Sequence, residues 1–323
     1  MVGRVVDRAG RTSPARGLSL AGRYHPPMRY GICLPNFTSL ASPETIDAAA
    51  SVAERLGWDS VWTTDHVLVD TSDEAADYRT NFDAIQTLAW VGARYPTVKL
   101  GTSVIVVPQR NAVVLAKELA TLDALSGGRV IAGIGIGWSE REFANLGMSD
   151  RFHVRGAYLE ETVQLWRHLW SGSAEAFNGR FHELSDYAFG PLPVQGPGLP
   201  IWIGGRADVA LERAARIADG YHSSAASPEA IDRRVATIRA GAESAERPMP
   251  VLSARVRVAF DEPLRSAEPR TYALRGSADD IRAEIAKFEA VGLELLALFF
   301  EEDTAEGIVA AAERFDHEVI GRA

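Results

Sequence analysis

One cysteine occurs in the 323-residue chain, Cys33. That excludes an intrachain disulfide and fits a reducing cytoplasm. Cys33 sits inside an apolar run, Tyr30 to Leu34, and so reads as a buried, inert thiol. Long hydrophobic runs are also missing: none approaches the roughly 18 residues that a membrane span needs. The segment GLSLAG near the amino terminus is too short for a signal-peptide core. Positive charge is scarce, with 34 Lys and Arg against 43 Asp and Glu and a formal net charge of -9. A nucleic-acid binder needs a basic face, so no nucleic-acid partner is expected. Neither H-E-x-x-H, a Walker loop nor G-x-S-x-G is present. His25, His153, His168, His182 and His317 are scattered without ligand spacing, so no metal site is expected.

What is present is a regular alternation of strand and helix signals. Residues 1–27, rich in Arg, Gly, Ser and Pro, lack any period and read as a flexible extension. From Arg29 onward, apolar runs end in turn residues and lead into helix starts such as Ser42-Pro43-Glu44. Leu115, Leu119 and Leu122 recur with helical spacing, and Ser126-Gly127-Gly128 stops that helix. Val130 to Ile136 is apolar on both faces, as a strand covered on both sides must be. The strand readings are Tyr30–Leu34, Ser60–Thr64, Lys99–Val106, Val130–Ile136, Ile201–Ile203, Gly220–Ser223, Val251–Phe260 and Leu293–Phe299. Arg155 to Trp170 reads as a helix with Leu159, Val163, Trp166 and Trp170 on one stripe, so both tryptophans read as core.

Between Ser171 and Pro200 the pattern changes to short extended pieces, including the hairpin signal FNGRFHEL. This segment reads as an insertion after the fourth strand–helix unit of a single domain spanning 28–323. Eight strands alternating with helices predict an α/β fold of the (β/α)8 TIM-barrel type. The competing open sheet would carry G-x-G-x-x-G after its first strand, and that motif is absent there.

Catalytic and binding groups of such a barrel gather at the carboxyl ends of the strands. Those ends carry Asn36, Asp65-His66, Ser103, Gly137-Trp138 with Glu140 beyond, Gly204-Gly205-Arg206 and His222-Ser223-Ser224. Successive residues of an extended chain point opposite ways, so of Asp65 and His66 one faces the pocket and the other the barrel wall. A histidine there serves as an acid or base near neutral pH, or is simply satisfied by loop contacts. Gly204-Gly205 precedes a helix, whose exposed amides and dipole favour an anion. Arg206 either adds charge to that turn or is solvated.

Four pieces then stand out: WTTDH (Trp62 to His66), LGTSVIVVPQRNAVVLAKELATLDALSGGRV (Leu100 to Val130), GIGIGWSEREF (Gly133 to Phe143) and PIWIGG…ALERAARIADGY (Pro200 to Tyr221). In this order they resemble the bacterial luciferase-like monooxygenase superfamily, most closely the branch that uses the deazaflavin coenzyme F420. The resemblance implies a non-prolyl cis peptide at Ser103-Val104, in a bulge that backs the coenzyme ring. It implies that Asp65 and His66 line the coenzyme site, that Ile136 and Gly137 contact the coenzyme, and that Gly204 and Gly205 form its phosphate turn. It leaves His66 as the residue to supply or take a proton in hydride transfer with a small-molecule substrate. Several sugar-oxidising relatives carry glutamate directly after the strand-four glycine, and this chain has Trp138 there. An FMN-dependent monooxygenase and a flavin-binding protein without turnover are the alternatives. A homodimer is implied as well, with loops Val67 to Asn81 and Ser171 to Pro200 expected to wall the pocket.

Overall fold

In the computed structural model, residues 27–262 and 272–322 are described. The extension read over residues 1–27 therefore falls, apart from Pro27, outside the described residues. Among the described residues eight principal strands close the barrel: β1 Arg29–Cys33, β2 Ser60–Thr63, β3 Lys99–Thr102, β4 Val130–Gly135, β5 Ile201–Gly204, β6 Gly220–Ser224, β7 Val251–Phe260 and β8 Leu295–Phe300. Each pairs in parallel with the next, and β8 pairs with β1, Arg29 opposite Leu295, to close the barrel. Around it run α1 Pro43–Arg55, α2 Ala84–Arg94, α3 Ala112–Ser126, α4 Arg155–Trp170, α5 Asp208–Ile217, α6 Pro228–Ser244, α7 Ala278–Ala290 and α8 Ala305–Arg314. The predicted TIM barrel is the observed fold.

The helix signals act as read. The Ser42 hydroxyl accepts the Thr45 amide, with Pro43 and Glu44 in the first turn of α1. Gly127 ends α3 at φ 71°, where a side chain would be strained. On α4, Trp166 and Trp170 are fully buried and their indole N–H groups donate to the carbonyls of Ala112 and Ala116 on α3. Burial of the two rings and their satisfied donors locks α4 against α3. The hairpin forms in the read place, pairing Phe177 with Leu184.

Three details differ. The third strand is not continuous over Lys99–Val106. It breaks at a cis Ser103-Val104 peptide, and a short piece, Ile105–Val106, resumes pairing with β4. The last strand starts at Leu295 rather than Leu293, because Leu293 still caps α7 by donating to Phe288. An additional strand, Ala273–Gly276, pairs with the end of β7. Gly133 and Gly135 face the broken strand. A Cβ on Gly133 would lie 1.7 Å from the Thr102 carbonyl oxygen, and one on Gly135 would lie 2.6 Å from a Val104 methyl. These glycines are there because β3 packs onto them.

Candidate active site

A cleft of about 400 Å³ opens at the carboxyl ends of the strands. All nine residues singled out for the site line it: Asp65, His66, Ser103, Val104, Ile136, Gly137, Gly204, Gly205 and Arg206. They come from four different strand ends that lie up to 141 residues apart in the chain.

Beyond β2, Asp65 and His66 diverge as the extended backbone requires. The Asp65 carboxylate turns to the wall, accepting the Val106 amide at 3.0 Å and Arg110 Nη2 at 2.6 Å. Asp65 therefore ties the resumed piece of the third strand to the end of β2. Its neighbour His66 faces the cleft. The His66 Nδ1 lies 3.0 Å from Oε2 of Glu142, whose side chain is 1% exposed. The other Glu142 oxygen accepts the Val67 and Leu68 amides, and Gln109 Nε2 donates to Oε2 at 3.1 Å. Burial alone would raise the Glu142 pKa, but the hydrogen bond and charge of His66, with the Val67 amide and Gln109, outweigh it and hold it at about 2. An ionised carboxylate only accepts, so His66 Nδ1 carries a hydrogen. Its Nε2 has no hydrogen-bond partner among the described residues. Tyr78 and Trp138 flank the ring, with centroids 4.2 and 5.8 Å away.

Beneath the bulge lies His222. It is 2% exposed, stacks parallel on Trp62 with centroids 4.6 Å apart, and bonds Ser253 and Ser103 at 2.8 Å each. Burial, then the nearby Arg255 charge, pushes its pKa down to about 3, so it is neutral. Ser253 donates its hydroxyl to the Tyr221 carbonyl, so His222 Nδ1–H donates to Ser253. The His222 Nε2 then accepts from the Ser103 hydroxyl, and the Ser103 oxygen keeps lone pairs for the cleft.

Gly204 and Gly205 lead into α5, whose N-cap, Ala207, offers no side chain to the first amides. Gly205 adopts φ 142°, and Tyr221 donates to its carbonyl at 2.7 Å. This turn presents a helix N-terminus to the cleft, although Asp208 in the first turn opposes an anion there.

Several strand-end residues do other work. Asn36 is fully buried and ties the Thr64 and Phe82 carbonyls together. Glu140 is exposed, and the acid that reaches the site is Glu142, which sequence reading passed over. Arg255, also passed over, lines the cleft from β7 and donates to Thr64 Oγ1 at 2.8 Å. The Val67 to Asn81 loop supplies Tyr78 to the wall, as expected. The expected contribution of residues 171–200 does not materialise, because the hairpin packs against α4, where Glu161 accepts the amides of Arg180, Phe181 and His182.

Comparison with known proteins gives consistent matches. An F420-dependent glucose-6-phosphate dehydrogenase of Amycolatopsis mediterranei is 33% identical over 212 residues, 64% of this chain and 61% of that protein. The chain thus spans about three fifths of the length of that relative. An enzyme of the same name from Nakamurella multipartita is 31% identical over 245 residues, covering 73% and 69%. Among solved structures, the coenzyme F420 dependent tetrahydromethanopterin reductase of Methanopyrus kandleri superposes with a TM-score of 0.74 at 18% identity, covering 91% and 98%. An FMN-bound type II Baeyer-Villiger monooxygenase of Pseudomonas putida reaches 0.76 at 15% identity, covering 90% and 98%. At those identities the likeness speaks for the fold. The family description of luciferase-like monooxygenases matches residues 28–316, nearly the whole barrel, and the chain belongs to that family.

Proposed function

We propose that this protein is a coenzyme F420-dependent oxidoreductase acting on an organic small molecule. The observation that carries this reading is the pairing of His66 with buried Glu142 at the mouth of a cleft floored by the Ser103-Val104 bulge. The floor fits a planar ring. Gly135 and Gly204 both abut Val104, where a Cβ would come within 2.6 and 3.0 Å of its methyls, so backbone lies where side chains would otherwise project. When bound, the deazaflavin supplies a carbon that gives or takes a hydride. Ser103, Val104, Ile136 and Gly137 would hold the ring, and Gly204, Gly205 and Arg206 its phosphate. Asp65 keeps the bulge in place through the Val106 amide.

The proton belongs to His66. With Nδ1 held by Glu142, Nε2 is the atom aimed at substrate, donating when the ring is charged and accepting when it is neutral. Trp138 cannot take the proton role that glutamate has in several sugar-oxidising relatives, so sugar phosphate is not the substrate we assign. The F420 dependence of the Amycolatopsis and Nakamurella enzymes supports F420 over FMN. Titrating the tryptophan fluorescence of the purified protein with each coenzyme tests this. Saturable quenching by F420 and none by FMN is expected, and tight FMN binding with no F420 response would make the protein an FMN-dependent enzyme instead. F420 binding without turnover across a broad substrate panel would favour the non-catalytic alternative.

A homodimer and a cytoplasmic location belong to the same reading. Exposed Trp90 and Val114, on the neighbouring helices α2 and α3, support the first. Light scattering on the eluting protein and cell fractionation test them.

A further inference from the structure

Strand β7 places Arg255 and Arg257 on one face, since alternate residues of a strand share a side. Their surroundings differ. Arg257 is matched by two carboxylates, Asp77 at 3.2 Å and Glu301 at 3.0 Å. Arg255 lines the cleft and forms no ion pair with any described residue. It reaches across the barrel mouth to the end of β2, where Nη1 donates to Thr64 Oγ1 at 2.8 Å and approaches the Ser103 carbonyl at 3.5 Å. Its guanidinium lies 5.8 Å from the Phe37 ring, which stacks on Tyr78, and Tyr78 in turn lies against His66.

A half-buried guanidinium with only neutral partners leaves donors and a full positive charge directed at the cavity. The planar fork matches a carboxylate, which accepts two parallel N–H groups. The chain of contacts through Phe37 and Tyr78 puts this charge on the side of the cleft where His66 works. We propose that Arg255 anchors a substrate carboxylate, so that the enzyme takes small organic acids, with the aromatic wall of Tyr78 and Trp138 receiving the apolar part. What the anion is attached to rests on the oxidoreductase reading; the anion site itself does not.

The test uses benzoate as probe and benzamide as its uncharged counterpart, each titrated by tryptophan fluorescence. Benzoate is expected to bind the wild type at least about tenfold more tightly than benzamide. In Arg255→Gln that preference should vanish while F420 affinity stays within about threefold, and Arg255→Lys should keep part of it. Melting temperatures establish that both variants are folded. The proposal is overturned if benzoate does not bind the wild type, if Arg255→Gln binds it unchanged, or if the variant loses F420 instead, which would assign the guanidinium to the coenzyme. Benzoate binding that depends on Arg255 in a protein that ignores F420 would uphold the anion site and sink the oxidoreductase reading.

Discussion

Glu142 and His66 are 76 residues apart in sequence and 3.0 Å apart in space, and their bond fixes which imidazole nitrogen faces the cleft. Replacing Glu142 with Gln keeps the size of the side chain and removes its charge. Turnover is expected to fall roughly 10–100-fold while coenzyme affinity changes little, because the residue acts through His66. His66→Ala should cost at least as much, and the double variant no more than the larger single loss. Steady-state kinetics with a separate coenzyme titration measure this. Additive losses would mean that the two residues act independently.

Folding stability should decline in mild acid because of His222. Its folded pKa, about 3, lies below the ordinary 6.5, so between those values the unfolded chain holds a proton that the folded protein does not. The stabilisation is complete above pH 6.5 and is lost as pH falls toward 3, at up to roughly 1.4 kcal/mol per pH unit. Glu142 adds a second loss, but only below its ordinary 4.5 and down to about 2. Between pH 4.5 and 6.5 Glu142 is silent while His182, also lowered by burial, and Glu118 and Glu302, both raised by burial, contribute beside His222, so the difference between wild type and variant in denaturant melts reads the His222 share. In His222→Asn the slope over that window should be shallower, and an unchanged slope would refute the assignment.

Gly133→Ala should be among the most damaging single-methyl changes, since its Cβ would sit 1.7 Å from a backbone oxygen that cannot move without the strand. A loss of about 3 kcal/mol or more is expected. Gly57→Ala is the comparison: φ is 64° but nothing lies within 4 Å, so a cost near 1 kcal/mol is expected. Equal melting temperatures for the two would contradict the packing account.

Gly205→Ala should separate binding from stability. A Cβ there meets Ala210 at 2.6 Å in the first turn of α5 and strains a φ of 142°. The amides of the turn would shift, and coenzyme affinity should drop about tenfold. Titration of the folded variant decides it, and unchanged affinity would remove this turn from the phosphate role.

The barrel was legible because each strand is bounded by turn and cap residues, and β4 and β8 are apolar on both faces. The break in the third strand was visible only through resemblance. The one strand-punctuating residue in the run Lys99 to Val106, Gly101, lies ahead of the break and packs on the Trp62 ring, and the partner that stabilises the break, Asp65, lies 41 residues from Val106. Glu142 escaped because it lies five residues past the strand-end glycine, at the spacing of a helix cap from Ser139. Ser139 does cap the Glu142 amide, yet the carboxylate is drawn instead to amides 74 and 75 residues away. Arg255 was hidden by its setting, an alternating position on a long strand where an inward charge has no local signature.

Floor and walls of the cleft are carried by different kinds of chain. The bulge and its fastening, Asp65 to Val106 and Arg110, belong to the barrel itself, whereas Tyr78 lies in the loop after β2 and Trp138 in the loop after β4. Loops tolerate replacement far better than packed strands do. Under the proposed function, what the protein acts on is therefore separable from what holds its coenzyme, and grafting those two loops is the economical route to redirecting it.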